Sequence, residues 1–336
     1  MTDAASASAN STADEKKSEC AGPQRLTNMS TNTTIYVRPP ESAFPRMVAL
    51  NCISRLDGFG AMNRDFTIGY EVLGTNVVGV LGALVQVPNP TGGTAPLDLV
   101  HAWYGNCEVG WAENDAGTYN PRIYRGSYAP NVETLPELTS AEQAEAMTAQ
   151  EQLEILVADL SEICRVVCPD RTTKNAFGSR IRNLLIVACT EVESQFKGIL
   201  LANGYETAQA SCHYVKVAAP LRLEEYSIRL QCYRDYPEFF PFKGWLASDP
   251  TQSLPWYYAY SATKRDRENK FNRATLEHAI SATAALEILL MAQYGPNCWR
   301  PTRQPFFHHG KRPDWHHRDR AYPPRAGDWT PVSFSF

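Results

Sequence analysis

The segment 176–202 has the sequence AFGSRIRNLLIVACTEVESQFKGILLA and carries the clearest structural signal in the chain. Its apolar residues recur at steps of three and four, namely Ile181, Leu184, Leu185, Ala188, Val192, Phe196, Ile199 and Leu200. This period places them on one face of an α-helix. Asn203 and Gly204 come next, and both residue types favour a left-handed helix stop. We therefore predict a long amphipathic helix that ends near Ala202.

Two further segments show the same helical period. One begins with Thr139 or Ser140 as its cap and ends at Cys168-Pro169-Asp170, with the apolar positions Leu153, Leu156, Val157, Leu160, Ile163 and Cys164. The other begins with Ser253 as its cap, breaks near Arg267 and continues to Tyr294. Its apolar residues fit one helix face, namely Leu276, Ala279, Ile280, Thr283, Leu286, Leu289 and Leu290. Residues 131–295 therefore read as a helical bundle, interrupted by a loop or extended run over 233–245.

The part before the bundle has a different pattern. Residues 1–34 are rich in Ser, Thr, Ala and Asn, and they have no large apolar residue before Leu26, which predicts a disordered tail. Over 35–130, short β-branched and aromatic runs at 66–73, 76–87 and 97–104 alternate with turn signals such as NPTGG at 89–93. These runs predict a small strand-and-loop subdomain with a structural or oligomer-forming role. The fold class is thus mainly α, with a smaller irregular, β-containing N-terminal extension.

Composition excludes several classes of protein. The chain has 336 residues, a net charge of −4 and a pI near 6.0, which excludes a uniformly basic nucleic-acid coat. Nine scattered cysteines do not resemble a disulfide framework, and the first thirty residues show no secretory h-region. We expect a cytoplasmic protein with reduced thiols and no membrane partner. Walker, Gly-x-Ser-x-Gly, His-Glu-x-x-His and paired Cys-x-x-Cys motifs are missing, so no cofactor is predicted.

Charge is segregated along the chain. Between residues 133 and 162 every full charge is negative, which fits a solvated helix face or a surface that binds basic segments. Residues 296–336 form a basic, aromatic tail with four of the seven histidines at positions 308, 309, 316 and 317. We expect this tail to lie as a strap over the acidic helix. A Zn²⁺ site completed by Asp314 or Cys298 and a mobile RNA- or partner-binding tail remain as alternatives.

The strongest candidate binding surface follows the aromatic run WYYAY at 256–260. Five cations occur within ten residues, against Asp266 and Glu268: Lys264, Arg265, Arg267, Lys270 and Arg273. Cations beside aromatic rings are what phosphate contact and base stacking require. Core packing of the aromatics and ordinary charge alternation on a helix are the competing interpretations.

Several segments resemble a group of uncharacterised bacterial proteins with HEPN-like helical bundles. They are RNLLI (182–186), TEVESQFK (190–197), LEEY (223–226), PFKGW (241–245) and PTQSLPWY (250–257), and the resemblance spans about 153–294. It implies an up-and-down bundle that forms a homodimer and places an Arg-x4-6-His motif at the dimer groove. Active members of that family cut RNA without a metal in toxin–antitoxin or phage-defence systems, whereas inactive members serve as binding or scaffold modules.

Arg273 and His278 satisfy the spacing of that motif. By the resemblance, Arg273 would stabilise the phosphate and His278 would move protons, while Lys264, Arg265, Arg267, Lys270 and Tyr260 would bind RNA or a nucleotide. The chain departs from the group at 264–265, where Lys-Arg stands in place of Lys-His. Arg265 thus stands where the group has its histidine. The expected function is RNA binding, with metal-independent cleavage if Arg273 and His278 act as the catalytic pair. The alternative is a non-catalytic dimeric module that binds an antitoxin or another protein.

Overall fold

The computed structural model describes residues 34–38, 69–72, 83–86, 108–115, 117–126, 138–206, 210–296, 305–321 and 328–336. The tail at 1–33 and the strand predicted at 97–104 lie outside these residues. Six α-helices occur within them: α1 (Ser140–Val166), α2 (Ser179–Ala202), α3 (Ser211–Tyr214), α4 (Pro255–Arg265), α5 (Arg267–Lys270) and α6 (Leu276–Tyr294). The prediction of a mainly α fold is confirmed. No helix in this part of the chain is long and apolar enough to cross a membrane.

Helix α1 starts with a capping box, and of the two predicted caps the structure selects Thr139. The Glu142 amide donates to the Thr139 hydroxyl at 3.2 Å, and the Glu142 carboxylate accepts from the Thr139 amide at 2.8 Å. The helix ends at Val166, just before the predicted Cys-Pro-Asp stop. Its predicted apolar stripe is buried apart from the partly buried Val157, and Cys164 belongs to it.

Helix α2 confirms the stripe predicted for 176–202, because all eight apolar residues are buried. The helix begins at Ser179, three residues later than predicted. It ends at Ala202, and Gly204 has a φ of +78°, the left-handed conformation that glycine adopts without strain. The buried Asn203 closes this end by donating its side-chain amide to the Ile199 carbonyl at 2.9 Å.

The third helical region is divided by the break expected near Arg267. Helix α4 runs to Arg265, the short α5 and a 3₁₀ turn at Phe271–Arg273 follow, and α6 then begins after its cap, Thr275. The prediction that Ser253 caps α4 is wrong. Leu254 occupies the cap position, and the Ser253 hydroxyl instead accepts a hydrogen bond from the Leu246 amide at 3.0 Å.

Helix α6 is the centre of the bundle and packs against α1, α2 and α4. The seven apolar residues predicted to form one face are all buried, but so are residues on its other sides, including Ala284, Ala285 and Ile288. A helix that is apolar all round is surrounded by protein rather than lying at the surface. The one-face prediction is therefore too narrow.

Strands are short within the described residues. Four of them, β1 (Thr34–Arg38), β2 (Gly69–Val72), β3 (Ala83–Gln86) and β4 (Glu108–Trp111), form an antiparallel sheet in the order β2-β3-β1-β4. Strands β2 and β3 lie inside the runs predicted at 66–73 and 76–87. Two strand pairs complete the fold: β5 (Thr118–Tyr119) is parallel to β8 (Thr330–Pro331), and β6 (Ile228–Leu230) is antiparallel to β7 (Phe307–His309).

The described residues of the C-terminal tail bond to β6, α6 and the end of α2 rather than to the acidic helix that the strap prediction proposed. Strand β7 pairs with β6, the Lys311 amide donates to the Ser227 hydroxyl at 2.7 Å, and the His309 imidazole bonds to Glu287 of α6 at 2.8 Å. Further along, the Phe334 amide donates to Asn203 at 2.9 Å. Strand β6 supplies backbone hydrogen-bond partners and α6 supplies a carboxylate. Hydrogen bonds to these groups hold the tail more strongly than ion pairs to exposed glutamates, which contribute little.

Candidate nucleic-acid interface

Two connections that are distant in sequence meet at one end of the bundle. The loop between α1 and α2 bonds to the start of α6, because the Leu276 amide donates to the Ala176 carbonyl at 2.8 Å and the Glu277 amide to the Lys174 carbonyl at 3.0 Å. An isolated β-bridge joins Phe177 to Thr275 beside them. We call this surface the basic end and define it as residues 167–180 together with 264–278.

Positive charge dominates the basic end. Six of its cations are exposed and form neither an ion pair nor a side-chain hydrogen bond among the described residues: Arg171, Arg180, Arg265, Arg267, Lys270 and Arg273. The other two are engaged, because Lys174 pairs with Glu277 at 3.4 Å and the exposed Lys264 donates to the Tyr260 hydroxyl at 2.8 Å. Exposed cations without a carboxylate partner keep their charge available for a phosphate group.

Three of the four acidic residues of the basic end are already engaged, whereas Glu268 is exposed and forms no ion pair among the described residues. Asp170 accepts from the amides of Thr172 and Thr173 at 2.5 and 2.9 Å and from the Thr172 hydroxyl, and these bonds lower its carboxyl pKa to about 2. Asp266 caps α5 by accepting from the Asn269 amide at 3.1 Å. Glu277 holds Lys174. These carboxylates shape the backbone rather than neutralising the six exposed cations.

Two aromatic rings are exposed among these cations. Phe177 is 54% exposed and meets Phe271 edge to face at 6.0 Å, and Tyr258 is 37% exposed with the Arg273 guanidinium 5.9 Å from its ring centre. A large exposed phenyl ring beside free cations suits base stacking next to phosphate contacts. Phe177 was not among the residues predicted from sequence to bind RNA, whereas Tyr258 belongs to the aromatic run at 256–260 considered for base stacking.

Tyr260 and Lys264 have a different role from the predicted one. The Tyr260 ring is 2% exposed and packs against Tyr257, so it offers no face to a base. The Lys264 ammonium donates to the Tyr260 hydroxyl at 2.8 Å, a bond that raises the pKa of Lys264. Glu193 of α2 accepts from the Tyr257 hydroxyl at 2.7 Å. The group fastens α4 to α2 and leaves Lys264 at the edge of the interface.

Arg273 and His278 are brought together, although through the backbone of Arg273. The Nδ1 of His278 lies 2.7 Å from the Arg273 carbonyl, while the Arg273 guanidinium lies over Tyr258. The two residues do not share a helix: Arg273 belongs to the 3₁₀ turn before α6 and His278 to its first turn. Five residues along one continuous helix would place the two side chains about 140° apart around its axis. The turn before α6 removes that constraint.

The contact with the Arg273 carbonyl fixes the state of the His278 ring. A carbonyl oxygen only accepts, so Nδ1 carries the proton of the neutral imidazole and Nε2 is the basic nitrogen. Burial lowers the pKa of His278 below its usual 6.5, against a smaller raising effect of the bond to Arg273. His278 is therefore neutral near pH 7, with Nε2 able to accept a proton.

The three tail histidines whose side chains the structure describes do not come together in one cluster. His309 bonds to Glu287, His316 bonds to Glu108 at 2.9 Å, and His308 is exposed. Within the described residues no three His, Cys, Asp or Glu side chains are arranged to hold a metal ion, and Cys298 lies outside them. Cys164 is buried, as its place in the predicted apolar stripe of α1 required, and burial raises its thiol pKa to about 12, whereas Cys168 is exposed.

The contribution of residues 171–180 was missed from sequence. A signal for it is present, because four cations and no acidic residue occur between Asp170 and Glu191. What the sequence does not contain is the pairing of this segment with 275–277, which brings the two basic stretches to one surface.

The chain was compared with known protein families, with curated proteins and with solved structures, and none of them matches it.

Proposed function

We propose that this protein is an RNA-binding, HEPN-like helical bundle whose basic end holds the RNA and whose His278 cleaves it without a metal. The observation that carries the proposal is the set of six exposed cations without ion pairs around the exposed rings of Phe177 and Tyr258. Such a surface supplies both sequence-independent contacts of RNA-binding proteins, phosphate attraction and base stacking. The resemblance to HEPN-like bundles supports the same assignment independently.

Binding would use the cations for the phosphates and the rings for the bases. Arg265, Arg267 and Lys270 project from the short α4–α5 connection, while Arg171 and Arg180 approach from the α1–α2 side. An RNA strand lying across the β-bridge between Phe177 and Thr275 would contact the cations from both sides. Arg273, already placed over Tyr258, would sit between a base and its phosphate.

Cleavage would use the neutral His278 as a base. Its Nε2 would take the proton of a ribose 2′-hydroxyl, the 2′-oxygen would attack the adjacent phosphorus, and the 5′-oxygen would leave with a proton from water. The products would be a 2′,3′-cyclic phosphate and a 5′-hydroxyl. Arg273 would stabilise the charge on the phosphate oxygens.

The test combines binding and cleavage in EDTA. Phe177→Ala should weaken RNA binding by about tenfold, since stacking contributes about 1–3 kcal/mol per base. Leu201→Ala is the matched control, because Leu201 is 56% exposed at the opposite end of α2 and should leave binding unchanged. His278→Asn keeps an amide able to bond to the Arg273 carbonyl and should abolish cyclic-phosphate products while RNA binding persists.

The possible results separate the two functions. RNA binding without cleavage in the wild type would retain the interface and remove the catalytic role of His278. No affinity for RNA at 50 mM salt would reject the proposal and favour the dimeric protein-interaction module, with an antitoxin or another protein as its partner.

A further inference from the structure

A cavity with both apolar and polar walls lies at the end of α6 opposite to the basic end. Its volume is about 80 Å³, and it is bordered by residues within 114–125, the first turn of α1 and the last turn of α6. Its walls carry two arginines, Arg122 and Arg125, together with Tyr119, Glu142 and Gln293. The proposed RNA-binding function uses none of these residues.

Arg122 is held rigidly in the wall. Its backbone has a φ of +58°, its Nε donates to Gln293 at 2.8 Å, and its Nη2 donates to Gln195 at 2.8 Å. Both glutamines are more than nine-tenths buried. Gly198 makes room for the guanidinium, since a methyl group there would lie 1.9 Å from Nη1. The buried amides fix this cation without neutralising it.

Arg125 has a buried donor that nothing in the described structure satisfies. The residue is 6% exposed, and its Nη1 donates to Glu113 at 2.8 Å. Its guanidinium lies 5.5 Å from the rings of both Trp315 and Phe334, while Nε has no hydrogen-bond partner among the described residues. A buried N–H without an acceptor is costly, so the site calls for an acceptor oxygen beside Nε.

Each arginine has a carboxylate partner, and it is the deeper burial of the two arginines that favours an anion as the source of that oxygen. The two cations are 11% and 6% exposed, whereas their carboxylate partners Glu145 and Glu113 are 61% and 36% exposed and therefore screened by water. Glu142 also faces the cavity, but its Oε2 is held by the amide and hydroxyl of Thr139. One water needs about 10–15 Å³ of such space, so a volume of about 80 Å³ has room for a small organic acid.

We propose that this cavity binds the carboxylate of a small organic acid, with Arg125 Nε donating to one of its oxygens. Arg122 supplies the second positive charge, and Tyr119 supplies a phenol to the wall. The site is separate from the basic end, because the full length of α6 lies between them.

The probe is acetate, titrated into the full chain by calorimetry at constant ionic strength. Acetamide has nearly the same shape without the charge, and inorganic phosphate tests a different oxyanion. Arg125→Lys retains a cation beside Glu113 but removes Nε, and should weaken acetate binding at least tenfold. Arg222→Lys is the matched control, because Arg222 also lies over Trp315, at 5.1 Å, but does not line the cavity. It should change the affinity less than twofold.

Glu142→Gln keeps the proposal testable if Arg125→Lys does not fold. Glutamine preserves the capping box and removes the negative wall charge, so acetate should bind about threefold more tightly or better, a gain that misfolding cannot produce. Acetate binding that acetamide lacks supports the proposal. The proposal would be overturned if acetamide bound as tightly as acetate or if phosphate bound more tightly. It would also be overturned if 50 mM acetate gave no heat of binding, because water would then be the partner of Nε.

Discussion

The salt dependence of RNA binding is the most quantitative consequence of the basic end. Six exposed cations without ion pairs would release about six counterions, which gives a slope of about −4.2 for log affinity against log salt on single-stranded RNA. Affinity should then fall about 300-fold between 50 and 200 mM salt. Arg267→Ala/Lys270→Ala leaves four such cations, so the slope becomes about −2.8 and the loss about 50-fold. Fluorescence anisotropy of a labelled RNA measures both slopes.

A second double variant separates local from overall charge. Lys197→Ala/Arg234→Ala removes the same charge from exposed positions outside the basic end, and its slope should equal that of the wild type. If both double variants lowered the slope equally, RNA would be attracted by the general field of the protein and not by the basic end. An unchanged slope in Arg267→Ala/Lys270→Ala would contradict the assignment directly.

Three further predictions concern stability and pH. Leu185→Ala, at a fully buried position, should lower the free energy of unfolding by about 3 kcal/mol in urea titrations, whereas Val187→Ala, 41% exposed on the same helix, should change it by less than about 0.5 kcal/mol. Thr139→Ala should cost about 1 kcal/mol and Ser140→Ala much less, because Thr139 makes the cap bond; equal losses would argue against the capping box. The rate of RNA cleavage should be constant from pH 7 to 8 and should fall at acidic pH, below the lowered pKa of His278, because the protonated ring cannot accept a proton. A rate that already declines as the pH falls toward 7 would contradict this.

The local sequence was sufficient to predict the long helices but not the short α3. The three- and four-residue period of α1 and α2 reports which side chains are buried, and capping and stop residues mark the ends, so Thr139 and Gly204 fall where expected. The prediction that Ser253 caps α4 was wrong because a serine hydroxyl can accept a hydrogen bond from any amide within reach. In the folded loop that amide is the one of Leu246 and not one in the first turn of α4.

The candidate site depended on contacts between distant segments. Composition revealed the cations at 264–273 but not their neighbours at 171–180, which arrive through backbone bonds about a hundred residues apart in sequence. Burial likewise separated Tyr260 from Tyr258, two residues apart in the same aromatic run, into a core ring and an exposed one.

The sequence by itself determined the elements whose signals are local: helix periods, caps, breaks and the run of cations before α6. Only the tertiary structure decided what those elements surround. It buried apolar residues on all sides of α6, paired the tail with β6 and Glu287, and built the cavity around Arg122 and Arg125. The physical reason is that burial and the absence of an ion pair are properties of three-dimensional neighbours, which a residue's position in the chain does not specify.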